Sequence, residues 1–429
     1  MVRRRSVLVP VIGMLMVGGA AAQQPPADGA TRLTVAQAID EAIAHNLNLL
    51  AQRANLTIAD AAVITAKLRP NPVASFSADH LDWLGTGFDE TNNGGPPEVA
   101  LRVDVPIERG AKREKRMEVA SLARTVAEAQ LADAIRTLRN DVVLACLDVI
   151  AAREQVSLVR DNLRAFEELA RVNRARVVAG SIAPFESTRS DVAMLQFRST
   201  VVRAELELAG ARARLSALLG RQPTASVDVA GELRPAAGTP IRTLQEWQDL
   251  ALRSRPDLRA LELSQARSAA DIRLQEANGH IDYSLGAEYR RQQGVSGRSN
   301  SVGLFVSAPL PLSNRNQGEI ARANAERDQV NRQIAALRAQ VTADVDTAYR
   351  EYTTNADLVT AIEADLLQPA AKARDISAYS YRAGGTSLLE LLDAQRAFND
   401  TMQSYLDAQA SLGRAVAHLN AAVGMEVVK

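Results

Sequence analysis

The sequence predicts a mainly α-helical fold with a small β part, in which one structural unit occurs twice along the chain. Three observations support this prediction: two long stretches without proline, short segments of alternating polarity, and a resemblance between the two halves. The composition agrees, because only 4% of the 429 residues are aromatic. Few aromatic residues and abundant helix formers are typical of long helices rather than of a compact aromatic core.

The long helices are predicted from the placement of proline. Residues 107–183 and 312–368 contain none, and a proline inside a helix costs about 3 kcal/mol. Apolar residues in the first stretch recur three and four positions apart, as at Val142, Ala145 and Val149. This spacing is typical of one face of a helix.

The predicted helices are far longer than those of an ordinary domain. One covers about 65 residues and ends near Gly180, and a second of similar length runs from Gly318 to about Arg382. At 1.5 Å per residue, about 65 residues form a rod of about 100 Å. Rods of that length indicate a coiled-coil-like tube or stalk.

Short segments between the helices predict strands with one apolar face. Apolar and polar side chains alternate in each of them, which is the pattern of a strand with two different faces. The segments are NPVASFSADHL (from Asn71), EVALRVDV, IDYSLGAEYR and SVGLFVSAPL. Turn-rich loops at 85–97 and 292–300 connect these strands in pairs, as in hairpins.

The two halves of the chain resemble one another and predict a tandem duplication. Matching segments begin at Leu33 and Leu244, at Val103 and Ala308, and at Val178 and Arg382. We therefore expect a first repeat at 33–225, a linker at 226–241 and a second repeat at 242–425, each with the order helix, two strands, long helix, helix.

The first 22 residues have the features of a signal peptide. MVRRR is basic, an apolar stretch follows, and the small residues Ala20 and Ala22 precede a predicted cleavage site. A retained anchor is the alternative. No later segment contains about 18 consecutive apolar residues, so we expect the mature chain to enter a membrane, if at all, without transmembrane helices.

Composition and residue spacing argue against several classes of function. Fifty Lys and Arg balance fifty Asp and Glu, so no net charge favours nucleic acid. Cys146 is the only cysteine, and the four histidines are scattered without metal-ligand spacing. No nucleophile–base set or phosphate-binding loop is visible. We therefore expect no enzyme, no cofactor and no resident metal.

Four strands of about ten residues with one apolar face have the length that a membrane barrel requires. Four strands are too few to close one, since the smallest known barrels have about eight. An open sheet would expose backbone edges to lipid. An oligomer to which each chain contributes four strands resolves this, and three chains would supply about twelve. A soluble sheet with one buried face is the alternative.

Two motifs resemble the TolC family of outer-membrane efflux proteins. YRAGGTSLLELLDAQ at 381–395 is similar to that family's second-repeat helix–turn–helix tip, and PIERGAKREKR at 106–116 is similar to the heavy-metal (cobalt–zinc–cadmium type) branch. The resemblance implies a homotrimeric duct: a transmembrane β-barrel in outer-membrane lipid, continued by a periplasmic α-helical barrel. It also implies a periplasmic adaptor and an inner-membrane efflux pump as partners. A periplasmic coiled-coil adaptor or scaffold is the alternative.

The resemblance places Glu390 and Asp393 near the periplasmic mouth, as gate residues. Their spacing puts both on one helical face, and in a trimer each position becomes a ring of three carboxylates, which favours cations. The alternative is an N-terminal pair that stabilises its own helix, with Thr386 or Ser387 as the cap.

In the first repeat, Glu186 aligns with Glu390, but Arg189 stands where the second repeat has Asp393. We include Glu186 among the gate residues. The arginine argues against a simple six-fold acidic ring.

Glycines mark the predicted turns between antiparallel helices. Gly180 in the first repeat and Gly384 and Gly385 in the second permit a tight turn, and the resemblance implies that an adaptor contacts these tips. Tyr381 stands where the family often has a gate residue, and a buried packing role is the alternative.

Overall fold

The fold was analysed in a computed structural model. It describes residues 32–81, 83–85, 97–222, 227–233, 242–294 and 297–428. The predicted signal peptide at 1–22, most of the loop at 85–97 and much of the linker at 226–241 lie outside these residues.

Nine helices occur in the described residues: α1 Val35–His45, α2 Leu47–Lys67, α3 Lys112–Val178, α4 Pro184–Leu218, α5 Leu244–Ser254, α6 Pro256–Asn278, α7 Gln317–Asp365, α8 Leu367–Ala383 and α9 Leu388–Val423. The strands are β1 Arg32–Leu33, β2 Val73–Asp79, β3 Glu98–Ile107, β4 Asp228–Val229, β5 Tyr283–Gly294 and β6 Gly297–Ser307. None of the described helices has both the length and the apolar character needed to cross a membrane.

The longest predicted helix is confirmed. Helix α3 has 67 residues and is therefore about 100 Å long. Its buried stripe includes Val142, Ala145, Cys146 and Val149, and it packs against α2, α4, α6 and α9. Burial raises the pKa of the Cys146 thiol to about 12, so this side chain stays protonated and acts as a small apolar residue of the core.

The second long helix is not continuous, so the prediction of one helix from Gly318 to Arg382 is wrong. Helix α7 ends at Asp365 and α8 begins at Leu367, with Leu366 at φ −114° between them. Pro369 explains the break, because it has no N–H to donate to the carbonyl of Asp365 and its ring collides with that group.

The tandem repeat is confirmed by matching geometry at corresponding junctions. In each repeat the predicted first helix is in fact two helices, separated by an extended residue. The corresponding pairs are the capping boxes of Thr34 and Thr243, the extended joints Asn46 and Arg255, and the left-handed residues Ala111 and Asn316, Gly180 and Gly384, and Gly220 and Gly424. The exact boundaries of the two repeats stay a prediction.

A polar side chain at the joint closes each repeat. Asn46 donates its side-chain N–H to the last carbonyl of α4 at 2.9 Å. Arg255, which is 7% exposed, donates to Ala422 at 3.4 Å, to Asp344 at 2.8 Å and to Asp257 at 2.6 Å. The second joint is therefore a buried ion cluster, whereas the first is neutral.

The larger sheet contains β2, β3, β5 and β6 in that order, and every neighbouring pair is antiparallel. Leu101 of β3 lies between Phe76 and Tyr289, and Tyr289 lies opposite Val302. All four side chains share one face, which confirms the predicted alternation.

Candidate functional site

The α3–α4 turn and the α8–α9 turn form two tips with the same backbone geometry. Gly180 and Gly384 have φ of +70° and +79°. Beyond them, the N–H of Ser181 donates to the carbonyl of Arg176, and the N–H of Gly385 donates to the carbonyl of Ser380, both at 2.8 Å. A Cβ on Gly180 or Gly384 would meet no atom within 4 Å. Glycine is thus required there by the left-handed turn itself and not by crowding.

Direct hydrogen bonds join the two tips although they are about 200 residues apart in sequence. Arg176 donates to the carbonyl of Arg382 at 3.1 Å. The hydroxyl of Tyr381 donates to Oδ1 of Asn173 at 2.8 Å, and Tyr381 is 5% exposed. The first-repeat and second-repeat hairpins therefore form one unit at this end. Sequence reasoning did not identify Asn173 or Arg176, since neither belongs to a tip motif.

Glu390 has a defined structural partner at the start of α9. Its backbone N–H donates to the Ser387 hydroxyl at 3.3 Å, and its carboxylate accepts from the Ser387 backbone N–H at 2.9 Å. This reciprocal pair is a capping box. Of the two capping residues that the sequence suggested, Ser387 is the cap and Thr386 is not.

Asp393 lies nearly one turn beyond Glu390, and both residues are exposed. The guanidinium of Arg396 is 3.8 Å from the Asp393 carboxylate, and both side chains are more than half exposed. An ion pair with that exposure contributes little, so the Asp393 charge remains available to the solvent.

The first-repeat tip carries a different charge pattern. Glu186 lies in the first turn of α4, which begins at Pro184, and the exposed Arg189 follows one turn later. The two repeats thus present an acid followed by a base in α4, and two acids in α9. The gate role of Glu186, Glu390, Asp393 and Tyr381 stays a prediction.

The second face of the larger sheet carries charges that pair with each other. Arg102 bonds Asp104 at 2.8 Å, and Arg290 bonds Glu98 and Glu288 at 2.9 and 3.0 Å. Only the Arg290–Glu98 pair connects strands from different repeats, and the other two pairs each lie within one strand.

The apolar face of the sheet is exposed. On β6, Val302, Leu304 and Val306 are 77%, 85% and 73% exposed. In the described residues, β2 and β6 each pair with a neighbour on one side only. One chain therefore presents two open sheet edges and an uncovered apolar surface.

The basic motif at 106–116 is a structural anchor between the sheet and the helices. Lys112, at the start of α3, donates to the Asp282 carboxylate at 2.7 Å and to the His280 carbonyl at 2.8 Å. Arg116 pairs with Glu108. Two of the five basic side chains of this motif are therefore neutralised within the chain.

The described residues contain no group of three or more His, Cys, Asp or Glu side chains positioned to hold a metal ion.

Long helices, a repeat of two hairpins and a sheet with one apolar and one charged face are the features of a channel subunit.

The chain belongs to the outer membrane efflux protein family, whose model matches residues 38–221 and 247–425. It is thus an outer-membrane channel component of a tripartite efflux system, and the predicted resemblance to the TolC family is confirmed. The double match also agrees with the repeat. Membership of this family favours the channel over the alternative of a periplasmic adaptor or scaffold.

Individual proteins resemble the chain over most of its length. The cobalt-zinc-cadmium resistance protein CzcC of Cupriavidus metallidurans is 25% identical, and the match covers 89% of this chain and 87% of that protein. The solved outer-membrane channel OprN has a TM-score of 0.73 at 22% identity, covering 91% of this chain and 89% of OprN. A solved membrane protein from Pseudomonas aeruginosa has a TM-score of 0.76 at 19% identity, covering 91% and 92%. The two structures share the fold.

Proposed function

We propose that three copies of this chain close one β-barrel of about twelve strands in the outer membrane and one helical barrel in the periplasm. The observation that supports this most directly is the sheet with two open edges. Pairing β6 of one copy with β2 of the next satisfies both edges, which lipid cannot do. The exposed apolar face then meets lipid, and the paired charges face the water-filled interior.

The partners and the cargo follow from the same assembly. The tips formed by Gly180, Gly384 and Gly385 are the proposed contact for a periplasmic adaptor, through which an inner-membrane pump delivers substrate. Divalent heavy-metal ions are the proposed cargo, because a relative that matches most of this chain is named for cobalt, zinc and cadmium resistance. The channel carries out no chemistry in this proposal.

Two arginine substitutions on the same strand test the barrel. Leu304 lies on the apolar face of β6, and Ser301 lies on its polar face. Arginine facing lipid near the bilayer midplane costs about 2–4 kcal/mol. We expect Leu304→Arg to prevent accumulation of heat-modifiable trimers in the outer membrane, while Ser301→Arg assembles normally. Because both residues are exposed in a single chain, equal assembly of the two variants would contradict a lipid-facing surface.

The same variants, expressed in a strain that lacks the gene, test the cargo. Wild type and Ser301→Arg are expected to restore growth in cobalt, zinc and cadmium, and Leu304→Arg is not. A panel of dyes and antibiotics is scored in parallel. Assembled trimers that restore drug tolerance without metal tolerance would refute metal ions as cargo and leave the channel intact.

Removing the tip carboxylates is expected to reduce the cation preference of the channel in planar bilayers. One charge at about 7 Å in water contributes about 0.6 kcal/mol, roughly a threefold change in local ion occupancy. Glu390→Gln removes the charge and keeps a capping side chain, and Asp393→Asn removes the second charge. Because two such charges are removed from each chain, we expect the double variant to lower the cation-to-anion permeability ratio by at least about threefold.

Ser387→Ala is the matched control for the tip carboxylates. It breaks the capping box at a cost of about 1 kcal/mol and changes no charge. Unaltered selectivity in the double variant, or an equal change in Ser387→Ala, would remove Glu390 and Asp393 from the gate.

A further inference from the structure

A cleft rich in arginine lies beside the small parallel pair of strands β1 and β4. Helices α3 and α4 form its walls, and its volume is about 520 Å³. Five arginines and three carboxylates line this arginine cleft, so its lining carries a net charge of +2. None of the residues used so far to explain the channel lies in it.

Two of the five arginines have their own acidic partners. Arg160 of α3 pairs with Glu205 of α4 at 2.5 Å, and Arg164 pairs with Asp161 on the same helix. Both pairs are largely exposed, and all four side chains line the cleft. The excess positive charge therefore belongs to the other three arginines.

Those three arginines share a single carboxylate. Arg32, Arg153 and Arg212 lie 3.5, 3.6 and 3.7 Å from the carboxylate of Asp228. The Asp228 side chain is only 10% exposed, and one of its oxygens also accepts the backbone N–H of Val229 at 3.0 Å. One buried carboxylate thus faces three guanidinium groups and neutralises one of them.

Arg153 already serves the fold. It donates to the carbonyls of Val229 and Gly231 at 2.5 and 2.9 Å, which fixes β4 against α3. Glu154 is 3.5 Å from the same guanidinium but does not line the cleft. Because Arg153 is held by the two carbonyls and by Glu154, the guanidinium groups of Arg32 and Arg212 have only Asp228 as a shared acidic partner.

The donors of Arg212 and Arg32 are available to a ligand. Nε of Arg212 is buried and has no hydrogen-bond partner, and a buried donor without a partner is unfavourable until a ligand satisfies it. The Arg32 side chain is 65% exposed, so a ligand in the cleft reaches it from solvent. Guanidinium groups suit oxyanions, because their planar donors bind two oxygens at once.

We infer that the arginine cleft binds a tetrahedral dianionic oxyanion of the phosphate type, held chiefly by Arg32 and Arg212. A dianion matches the net charge of +2 on the cleft lining. A ligand with a single carboxylate would neutralise only half of that charge. Arg153 is 41 positions beyond Lys112, where α3 leaves the sheet, which is about 60 Å along the helix. Outer-membrane headgroups are therefore out of reach, and the ligand is inorganic phosphate or a phosphate monoester dissolved in the periplasm.

Calorimetric titration of the purified full-length assembly in detergent tests this site. Inorganic phosphate, glycerol 1-phosphate and acetate are titrated at matched ionic strength. We expect saturable binding of both phosphates with one site per chain and no saturable binding of acetate. Arg212→Gln and Arg32→Gln are each expected to weaken phosphate binding at least tenfold. Because Arg32 is largely exposed, its replacement leaves the fold intact even if Arg212→Gln destabilises it.

Arg350→Gln is the control, since Arg350 is also exposed and paired, with Asp346 on α7, but lies outside the cleft. It is expected to bind phosphate as the wild type does. Equal binding by wild type and Arg32→Gln, absence of saturable phosphate binding, or equal binding of acetate would each overturn the inference. A response to phosphatidylglycerol vesicles alone would also overturn it, because it would place the ligand in a membrane.

Discussion

Arg255→Gln is expected to lower the free energy of unfolding by about 3–5 kcal/mol, because it leaves two carboxylates without their buried cation. Arg255 is 7% exposed and holds Asp257 and Asp344 at 2.6 and 2.8 Å. Its remaining hydrogen bond, to Ala422, joins the α5–α6 joint to the end of α9. The variant therefore loosens three helices at once, which thermal unfolding followed by circular dichroism will detect.

An exposed arginine of the same repeat provides the comparison. Arg322 on α7 bonds Glu319 at 2.7 Å, and its side chain is 45% exposed. Surface ion pairs contribute at most about 1 kcal/mol, so Arg322→Gln is expected to shift the melting temperature far less. Equal shifts in Arg255→Gln and Arg322→Gln would contradict the role of the buried cluster.

The same cluster predicts how stability depends on pH. Burial acts to raise the pKa of Asp257, but the hydrogen bond and charge of Arg255 outweigh burial and hold that pKa below its usual value. Because the pKa of Asp257 is lower in the folded state, its ionised carboxylate stabilises the fold at pH values above about 3.9, the pKa in the unfolded chain. This stability is lost as the pH falls from there through the folded pKa. Asp257→Asn is therefore expected to lower stability at pH 7 and to reduce its loss in acid.

The sequence was sufficient for the helices and strands where one local signal dominates. The absence of proline and the 3.6-residue period predicted α3, and alternation predicted the three longer strands. The continuous helix over 318–382 failed because the helical pattern was followed through Pro369, although the missing N–H acts one turn earlier, at Asp365. A local rule applied at the wrong residue thus caused the error in the second repeat.

The candidate site was only partly predictable, for a different reason. Turn glycines and capping residues act within a few positions of themselves, so Gly180 and Gly384 could be found from sequence alone, and the cap could be narrowed to Thr386 or Ser387. The bonds of Tyr381 to Asn173 and of Arg290 to Glu98 join residues 208 and 192 positions apart. No local pattern determines such pairs, because they depend on how the two repeats pack.

Gly220 and Gly180 separate the effect of backbone conformation from that of crowding. Gly220 follows α4 and Gly180 follows α3, and their φ angles are +72° and +70°. A Cβ on Gly180 meets nothing within 4 Å, whereas a Cβ on Gly220 lies 2.9 Å from the carbonyl carbon of His45 and closer still to its oxygen. The obstacle is backbone at the α1–α2 joint, which no side-chain rotation relieves.

Gly180→Ala is therefore expected to cost about 1–2 kcal/mol, the price of the left-handed conformation for a residue with a Cβ. Gly220→Ala carries that cost and about 1–3 kcal/mol more for overpacking, so about 2–5 kcal/mol in total. Thermal unfolding of the two purified variants measures the difference directly. Equal melting temperatures would mean that the α1–α2 joint moves aside freely, and that the contact between α4 and the start of its own repeat does not hold the first repeat closed.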